Sequence, residues 1–376
     1  MSQKTSFPSL EGRPDMQTDG ASGRGSMMDA FSVAGRPIGN DGRCFVIAEA
    51  GVNHNGDVAM AHRLIDVAAA AGADAIKFQT FNAETLVDRS ARKAAYQVTN
   101  TGSESSQFEM LRSLELPAQA YRALQDHAGQ AGIALISTPF DEASVDFLAT
   151  LGVPAYKVSS GDLTNHFLLE AVAAKGKPVI ISTGMANLAD IEGALACLRT
   201  AGAREVCALQ CTSSYPAPPD QINLRTIATM RAAFGIPIGY SDHTLGIPVA
   251  IAAATLGAAV IEKHVTLDRS LLGPDHSASL VPEELSRMIA GIREVEAALG
   301  SPVKRPMQIE EDTREVARRS LFAARDIEAG GVIGRSDLVA LRPGSGISPD
   351  RRDLVLGRRA RTAIAAGTML SIGDVQ

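Results

Sequence analysis

The sequence predicts an α/β protein, a (β/α)₈ TIM barrel followed by a small C-terminal domain. Three observations carry this. Eight short apolar runs recur along the chain, Ala- and Leu-rich stretches with helical spacing separate them, and residues 320–376 switch to short runs broken by Gly and Pro. The length of 376 residues accommodates a barrel of about 200 to 250 residues with a smaller domain beside it.

Residues 1–40 are rich in Gly, Ser, Pro and charge and show neither a period of 2 nor of 3.6. Such a segment buries too little apolar area to offset its ordering entropy, so a poorly ordered tail is expected there. The barrel is expected over residues 41–300. Its runs are Phe45 to Gly51, Ala75 to Phe81, Ala134 to Phe140, Ala155 to Gly161, Val179 to Gly184, Val206 to Thr212, Pro237 to His243 and Val260 to Thr266. Successive starts lie roughly 20 to 60 residues apart, enough for the crossover helix that parallel strands require. The first spacer shows why these read as helices: Asp57 near the start, apolar Met60, Leu64, Ile65, Val67 and Ala68 on one face, and Gly72 as the stop. A doubly wound sheet of the same length is the rival fold. Residues 301–319 read as a linker containing a charged, helix-like stretch, and residues 320–376 as a module too small for a large core of its own.

Composition removes several functional classes. Forty-two acidic against 36 basic residues give a net charge of −6, so no basic field exists to hold a nucleic-acid backbone or an anionic membrane surface. The four cysteines, Cys44, Cys197, Cys207 and Cys211, lack CxxC spacing and read as reduced cytosolic thiols. Apolar stretches are interrupted well before the length of a membrane span, and the N-terminus carries no signal-peptide core, so a cytoplasmic protein is expected. An aromatic content of 4% without Trp speaks against an aromatic-lined sugar-binding module.

Polar residues gather at the C-terminal ends of the runs, the end at which a barrel of this kind does its chemistry. Glu49, Lys77, Gln79, Thr138, Lys157, Ser160, Ser182, Gln210, Thr212, Asp242, His243 and Glu262 to His264 all lie there. His243 and His264 end neighbouring strands, so two imidazoles can converge on one divalent metal, with Glu49 or water completing the shell; the competing reading is two ordinary strand-end histidines. Lys77, Lys157 and Lys263 sit in apolar runs where an unpaired ammonium is disfavoured. They serve as an anion grip, as a Schiff-base nucleophile, or as partners of neighbouring carboxylates, and for Lys263 the pairing expected is with Glu262. His54 and Asn55 follow the first strand in a Gly-flanked polar knot. Asp275, in the GPDH loop, can act as a base or simply close a turn, and Arg342 sits on a Pro- and Gly-stiffened loop. Neither GxxxxGK[ST] nor a strand-linked GxGxxG is present, so nucleotide binding has no support.

Ten motifs in order, IAEAGVNHNGD, IKFQTF, STPFD, YKVSSGD, STGM, CTSSYP, GYSDHT, IEKHVTLD, GPDHSASL and LRPGSGIS, resemble the sialic acid synthase family, which includes N-acetylneuraminate, legionaminate and pseudaminate synthases. The resemblance runs from Phe45 to the end. It implies a TIM barrel with a C-terminal antifreeze-like (SAF, β-clip) domain, a domain-swapped homodimer, and condensation of phosphoenolpyruvate with an N-acetylmannosamine-type amino-sugar aldehyde and water, releasing phosphate. It further implies that His243 and His264 hold Mn²⁺ or Mg²⁺, and that Lys77, Thr138, Lys157, Ser160, Ser182 and Ser241 grip phosphoenolpyruvate. Glu49 would position the water, Asp275 the sugar hydroxyls or aldehyde. Gln79, Phe140, Asp162, Ser213 and Tyr215 would line the sugar pocket, and Arg342 of the other chain would contact the N-acetyl group. Asp162 stands where many bacterial members carry Glu and Ser213 where some carry Asn, which leaves N-acetylmannosamine, its 6-phosphate and the 2,4-diacetamido-2,4,6-trideoxy legionaminate precursor as acceptors. Two further classes compete on the residues alone: a metal-independent Schiff-base lyase, and a non-catalytic carbohydrate-binding protein.

Overall fold

Strands alternate their side chains, so a strand whose two faces are both buried reads as an unbroken apolar run. All eight runs behave in this way. In the computed structural model, which describes residues 30–39 and 43–376, a hairpin of β1 (Ala30–Val33) and β2 (Arg36–Gly39) comes first. Then follow β3 (Phe45–Gly51), β4 (Ala75–Thr80), β5 (Ala134–Pro139), β6 (Tyr156–Val158), β7 (Val179–Ser182), β8 (Val206–Cys211), β9 (Ile238–Asp242) and β10 (Val260–His264). These eight are parallel and close into a barrel, with β10 pairing back onto β3. The barrel expectation therefore holds and the doubly wound rival does not.

Helices alternate with the strands and are capped as the sequence indicates. Helix α1 (Val58–Ala70) begins at Asp57, whose carboxylate accepts from the Ala59 amide, and the chain then turns at Gly72 with φ +81°. Between β4 and β5 the connection is enlarged by α2 (Ala83–Leu86), α3 (Ala95–Thr101) and α4 (Gln107–Leu114) before α5 (Ala118–Gln130) returns to the barrel wall. Outward strand residues such as Val46, Ile76, Phe78 and Tyr240 pack with Leu64, Ile65 and Leu124 in the layer between strands and helices. Burying each of these side chains fully is worth about 1.5–3 kcal/mol.

The tail expected over residues 1–40 ends differently. Residues 1–29 lie outside the described residues, but residues 30–39 form the β1–β2 hairpin, turning at Ala34 and Gly35, both at positive φ. Phe31, Val33 and Ile38 are buried against Phe45, Ile47, Ala75, Ile136, Ala155, Ile180, Cys207, Leu209 and Val260, which fill the N-terminal half of the barrel interior. Asp74 staples the hairpin: its carboxylate lies 2.6 Å from Arg36 and 3.0 Å from Arg293, and it accepts from the Val46 amide at 2.8 Å.

Residues from Ser301 onward form a separate unit. An exposed helix (Glu311–Ala317) precedes an antiparallel pair, Ser320–Ala323 with Leu338–Leu341. Single bridges such as Ile327 with Ile364 and Ala360 with Val375 extend it around a small core of Leu321, Ile333, Leu338, Val355 and Leu370. Among the described residues, no helix is long and apolar enough to cross a membrane.

Candidate active site

Strand alternation places the apolar residues of the barrel interior and the polar ones in register. Ile47 is followed inward by Glu49, Ala75 by Lys77 and Gln79, Ile136 by Thr138, Ala155 by Lys157, Ile180 by Ser182, Leu209 by Cys211, and Val260 by Glu262 and His264. On β9 the inward positions are Gly239, Ser241 and, just past the strand, His243. A Cβ on Gly239 would come within 2.5 Å of both Leu209 Cδ2 and the Val260 carbonyl, so only Gly lets its neighbours close the apolar layer there. Above that layer opens a cavity of about 540 Å³.

The cavity collects nearly all the expected site residues: Glu49, Lys77, Gln79, Thr138, Phe140, Lys157, Ser160, Ser182, Ser213, Tyr215, Ser241, His243, His264 and Asp275 line it. Asp162 does not. Its carboxylate accepts from the Ser159 hydroxyl at 2.6 Å and from the Asn165 amide, so its turn holds Ser159 and Ser160 rather than presenting an acid to the cavity. Arg342 belongs to the C-terminal unit and is exposed. His54 and Asn55 of the polar knot do not line the cavity either. His54 accepts from the Gly56 amide, and its pKa falls to about 4 through burial. Asn55 contacts His276 and the Leu272 carbonyl, tying the first loop to the GPDH loop.

At the floor two ammonium groups face two carboxylates. Lys77 lies 2.7 Å from Glu49 and donates to Thr138 at 3.1 Å, while Lys157 donates to Ser182 at 2.6 Å. Glu262 accepts from Ser241 at 2.9 Å and stands 3.6 Å from Lys157 and 3.9 Å from Lys77. Burial alone would lower the Lys77 pKa, but Glu262 and Glu49 outweigh it and raise it; burial does lower that of Lys157. Burial raises Glu49 to about 7, against the pull of Lys77, and raises Asp275 to about 6. Glu262, though buried, is held below its ordinary value by Lys157 and Lys77.

Glu262 is a site residue that sequence reasoning assigned elsewhere, as the partner of Lys263. Alternation corrects this: Glu262 shares the inward face with His264, whereas Lys263 faces outward and pairs with Asp242 at 2.7 Å. Cys211, two residues beyond inward Leu209, was readable by the same period, and its Sγ lies 3.8 Å from His243 Nδ1. Gly184 is a third. A Cβ there would fall 2.2 Å from Ser213 Oγ and 2.8 Å from Ser160 Oγ, and its amide donates to Ser160 at 2.9 Å. The enlarged β4–β5 connection adds an apolar wall of Leu86, Val87, Met110, Leu111 and Leu114, with Tyr96 stacked on Tyr215 at 5.1 Å.

The two imidazoles come together, their centroids 5.5 Å apart. His243 Nδ1 donates to the Thr212 carbonyl at 2.8 Å, which leaves the Nε2 lone pair free, the tautomer a metal ligand needs. His264 is kept neutral by burial and by His243. Its Nδ1 is buried without a hydrogen-bond partner, 3.9 Å from Asp275. Among the described residues no group of three or more His, Cys, Asp or Glu is gathered to hold a metal. The donor set is thus two imidazoles with open positions, His264 neutral and the pKa of His243 raised above its ordinary value by Cys211 against the effect of burial. This fits a catalytic divalent ion that would displace the His243 proton and not a closed structural site.

Comparison with known proteins follows the same lines. Residues 64–304 match the NeuB family and residues 318–376 the SAF domain. The chain belongs to the NeuB family. It is 45% identical to the N,N'-diacetyllegionaminic acid synthase of Legionella pneumophila over 89% of this chain and 95% of that one. The human N-acetylneuraminate-9-phosphate synthase is 38% identical over 88% of this chain and 92% of its own. A crystal structure of N-acetylneuraminic acid synthetase from Leptospira borgpetersenii, in complex with citrate, superposes with a TM-score of 0.67 at 33% identity, covering 77% of this chain and 96% of that one. The resemblance read from the ten motifs holds, as does the enzyme class: this NeuB-family chain is a nonulosonate synthase-type transferase of carbohydrate biosynthesis.

Proposed function

We propose that the chain condenses phosphoenolpyruvate with the open-chain form of N-acetylmannosamine, or a close analogue, and water, giving an N-acetylneuraminic-acid-type nonulosonate and phosphate. The observation that carries this is a single cavity floor on which Lys77 and Lys157, with the hydroxyls of Thr138, Ser160, Ser182 and Ser241, share the space with the imidazoles of His243 and His264. Two ammonium groups with converging hydroxyls suit a phosphate and a carboxylate on one small molecule. A divalent ion, Mn²⁺ or Mg²⁺, held by His243 and His264 would supply Lewis acidity for the sugar aldehyde. The chain's own groups do the rest. Lys77 and Lys157 orient phosphoenolpyruvate so that its carbon 3 meets the aldehyde carbon. Glu49, poised near neutrality, takes the proton of the water that adds at carbon 2, and Asp275 holds the developing hydroxyl. Collapse of the tetrahedral carbon then expels phosphate.

One observation favours a second acceptor. The wall of Val52, Leu86, Val87, Met110, Leu111 and Leu114 suits methyl groups, which the 2,4-diacetamido-2,4,6-trideoxy sugar carries in greater number than N-acetylmannosamine. Among the described residues that line the cavity, Lys77 and Lys157 at the floor are the Lys and Arg side chains present, which does not favour the 6-phosphate sugar. The proposal includes a domain-swapped homodimer to which Arg342 contributes acceptor binding, and a cytoplasmic location in keeping with four unpaired cysteines. The test is phosphate release from phosphoenolpyruvate by chelator-treated protein, with Mn²⁺ restored and the three sugars in parallel. Metal-dependent release with one sugar is expected. Phosphate release that survives the chelator would remove the metal from the reading, and no phosphate release together with trapping of pyruvate by borohydride would replace the synthase with a Schiff-base lyase.

A further inference from the structure

The geometry points to the buried Asp242–Lys263 ion pair, on the outer face of the barrel wall, as the device that sets the spacing of the two imidazoles; this rests on the metal reading above. The two residues are register partners on β9 and β10, and each immediately precedes one of the histidines, His243 and His264. Alternation turns the pair outward while the imidazoles turn inward, so one pair of adjacent backbones carries both. Their side chains are 0% exposed and their charged atoms lie 2.7 Å apart. The pair also closes the turn that follows β9. Asp242 Oδ1 accepts from the Tyr240 hydroxyl at 3.0 Å and from the Thr244 amide at 2.9 Å, and Lys263 donates to the Thr244 carbonyl.

Stability alone does not account for this arrangement. The surrounding wall is apolar, with Ile238, Tyr240, Ile261 and Val265 as outward neighbours, and replacing a buried ion pair by apolar residues of similar size is often neutral or stabilising. What a hydrogen-bonded pair provides and an apolar contact does not is a fixed direction and length. Here that length spans the two strand ends at which His243 and His264 project. Asp242 and Lys263 are positioning residues, acting through the backbone and touching no substrate.

The test measures Mn²⁺ affinity of metal-free protein, by the electron paramagnetic resonance of free Mn²⁺, alongside thermal unfolding. For the double substitution Asp242→Leu with Lys263→Met we expect Mn²⁺ affinity to fall at least tenfold in protein that is still folded at the assay temperature, with a lowered melting temperature because the Tyr240 hydroxyl and the Thr244 amide and carbonyl lose their partners. Affinity equal to wild type overturns the proposal. Should the double variant not fold, Lys263→Gln, which shortens the tether, is expected to weaken Mn²⁺ at least threefold, and unchanged affinity there overturns it equally. His264→Ala separates this from the metal reading. If wild type binds no Mn²⁺, or His264→Ala binds it as tightly, the metal reading fails and the proposal with it.

Discussion

The two halves of the barrel interior are built by the same eight strands, yet they obey opposite rules. Below, Ile47, Ile136, Ile180, Leu209 and Val260 pack against Phe31, Val33 and Ile38 of the hairpin, and nothing polar intrudes among these. One inward step along each strand, Glu49, Lys77, Lys157 and Glu262 stand buried with carboxylates and ammonium groups within 4 Å. Charges taken out of water cost several kcal/mol each before pairing repays it. The lower half therefore supplies the stability that the upper half spends on chemistry.

The largest break in that contrast is expected from His264→Ala. Loss of metal-assisted polarisation is worth several kcal/mol, so kcat/KM for phosphate release should fall by about 10³-fold or more at about 1.4 kcal/mol per decade, with the unfolding midpoint little changed. Ile180→Ala should do the reverse. Removing a fully buried Ile side chain costs about 2–5 kcal/mol in denaturant unfolding, while KM for phosphoenolpyruvate moves less than the unfolding constant.

A third prediction sharpens the contrast through pH. Glu49 must be deprotonated to accept a proton, and burial places its pKa at about 7; kcat/KM should therefore rise about tenfold per pH unit up to that point. Stability runs the other way. A carboxyl raised from 4.5 to about 7 on folding favours the native state at low pH, and that contribution is lost as pH rises through about 7. Glu49→Gln should remove the rate slope and shrink the stability slope to the part that Asp275, raised to about 6, contributes, read as rate and as melting temperature of metal-free protein between pH 5 and 8. The smallest effect is expected from deleting residues 1–29, which should leave turnover unchanged and unfolding within about 0.5 kcal/mol. Extending the cut to residue 39 removes Phe31, Val33 and Ile38 and should produce a core-sized loss.

The strands were legible because each is a short, largely apolar run with polar residues at or next to its C-terminal end, as in Val179 to Ser182. The hairpin was not. Its strands are four residues long, one carries Pro37, and their burial depends on a barrel floor formed far away in sequence. The charged floor of the cavity was legible residue by residue but not in its pairing. Glu262 and Lys263 are adjacent in sequence and on opposite faces of the wall, which becomes visible only when period 2 is applied through the end of the strand. The apolar wall of α2 to α4 lay hidden in the widest spacing between runs, where length alone does not say whether a connection covers the mouth or avoids it.

The hairpin also has a kinetic consequence. With Phe31, Val33 and Ile38 seated in the lower end and Arg36 and Arg293 fastened to Asp74, the described residues fill the lower end of the barrel and leave the cavity to be reached from the strand C-terminal side. On the proposed placement of the reactants, the one held at the lysine floor would enter first and the sugar would follow. The bulky product, formed across both levels, has to clear the doorway before the next phosphoenolpyruvate arrives. Such an enzyme should follow an ordered sequence, with the product competing against the first reactant and excess sugar slowing turnover by waiting on the threshold.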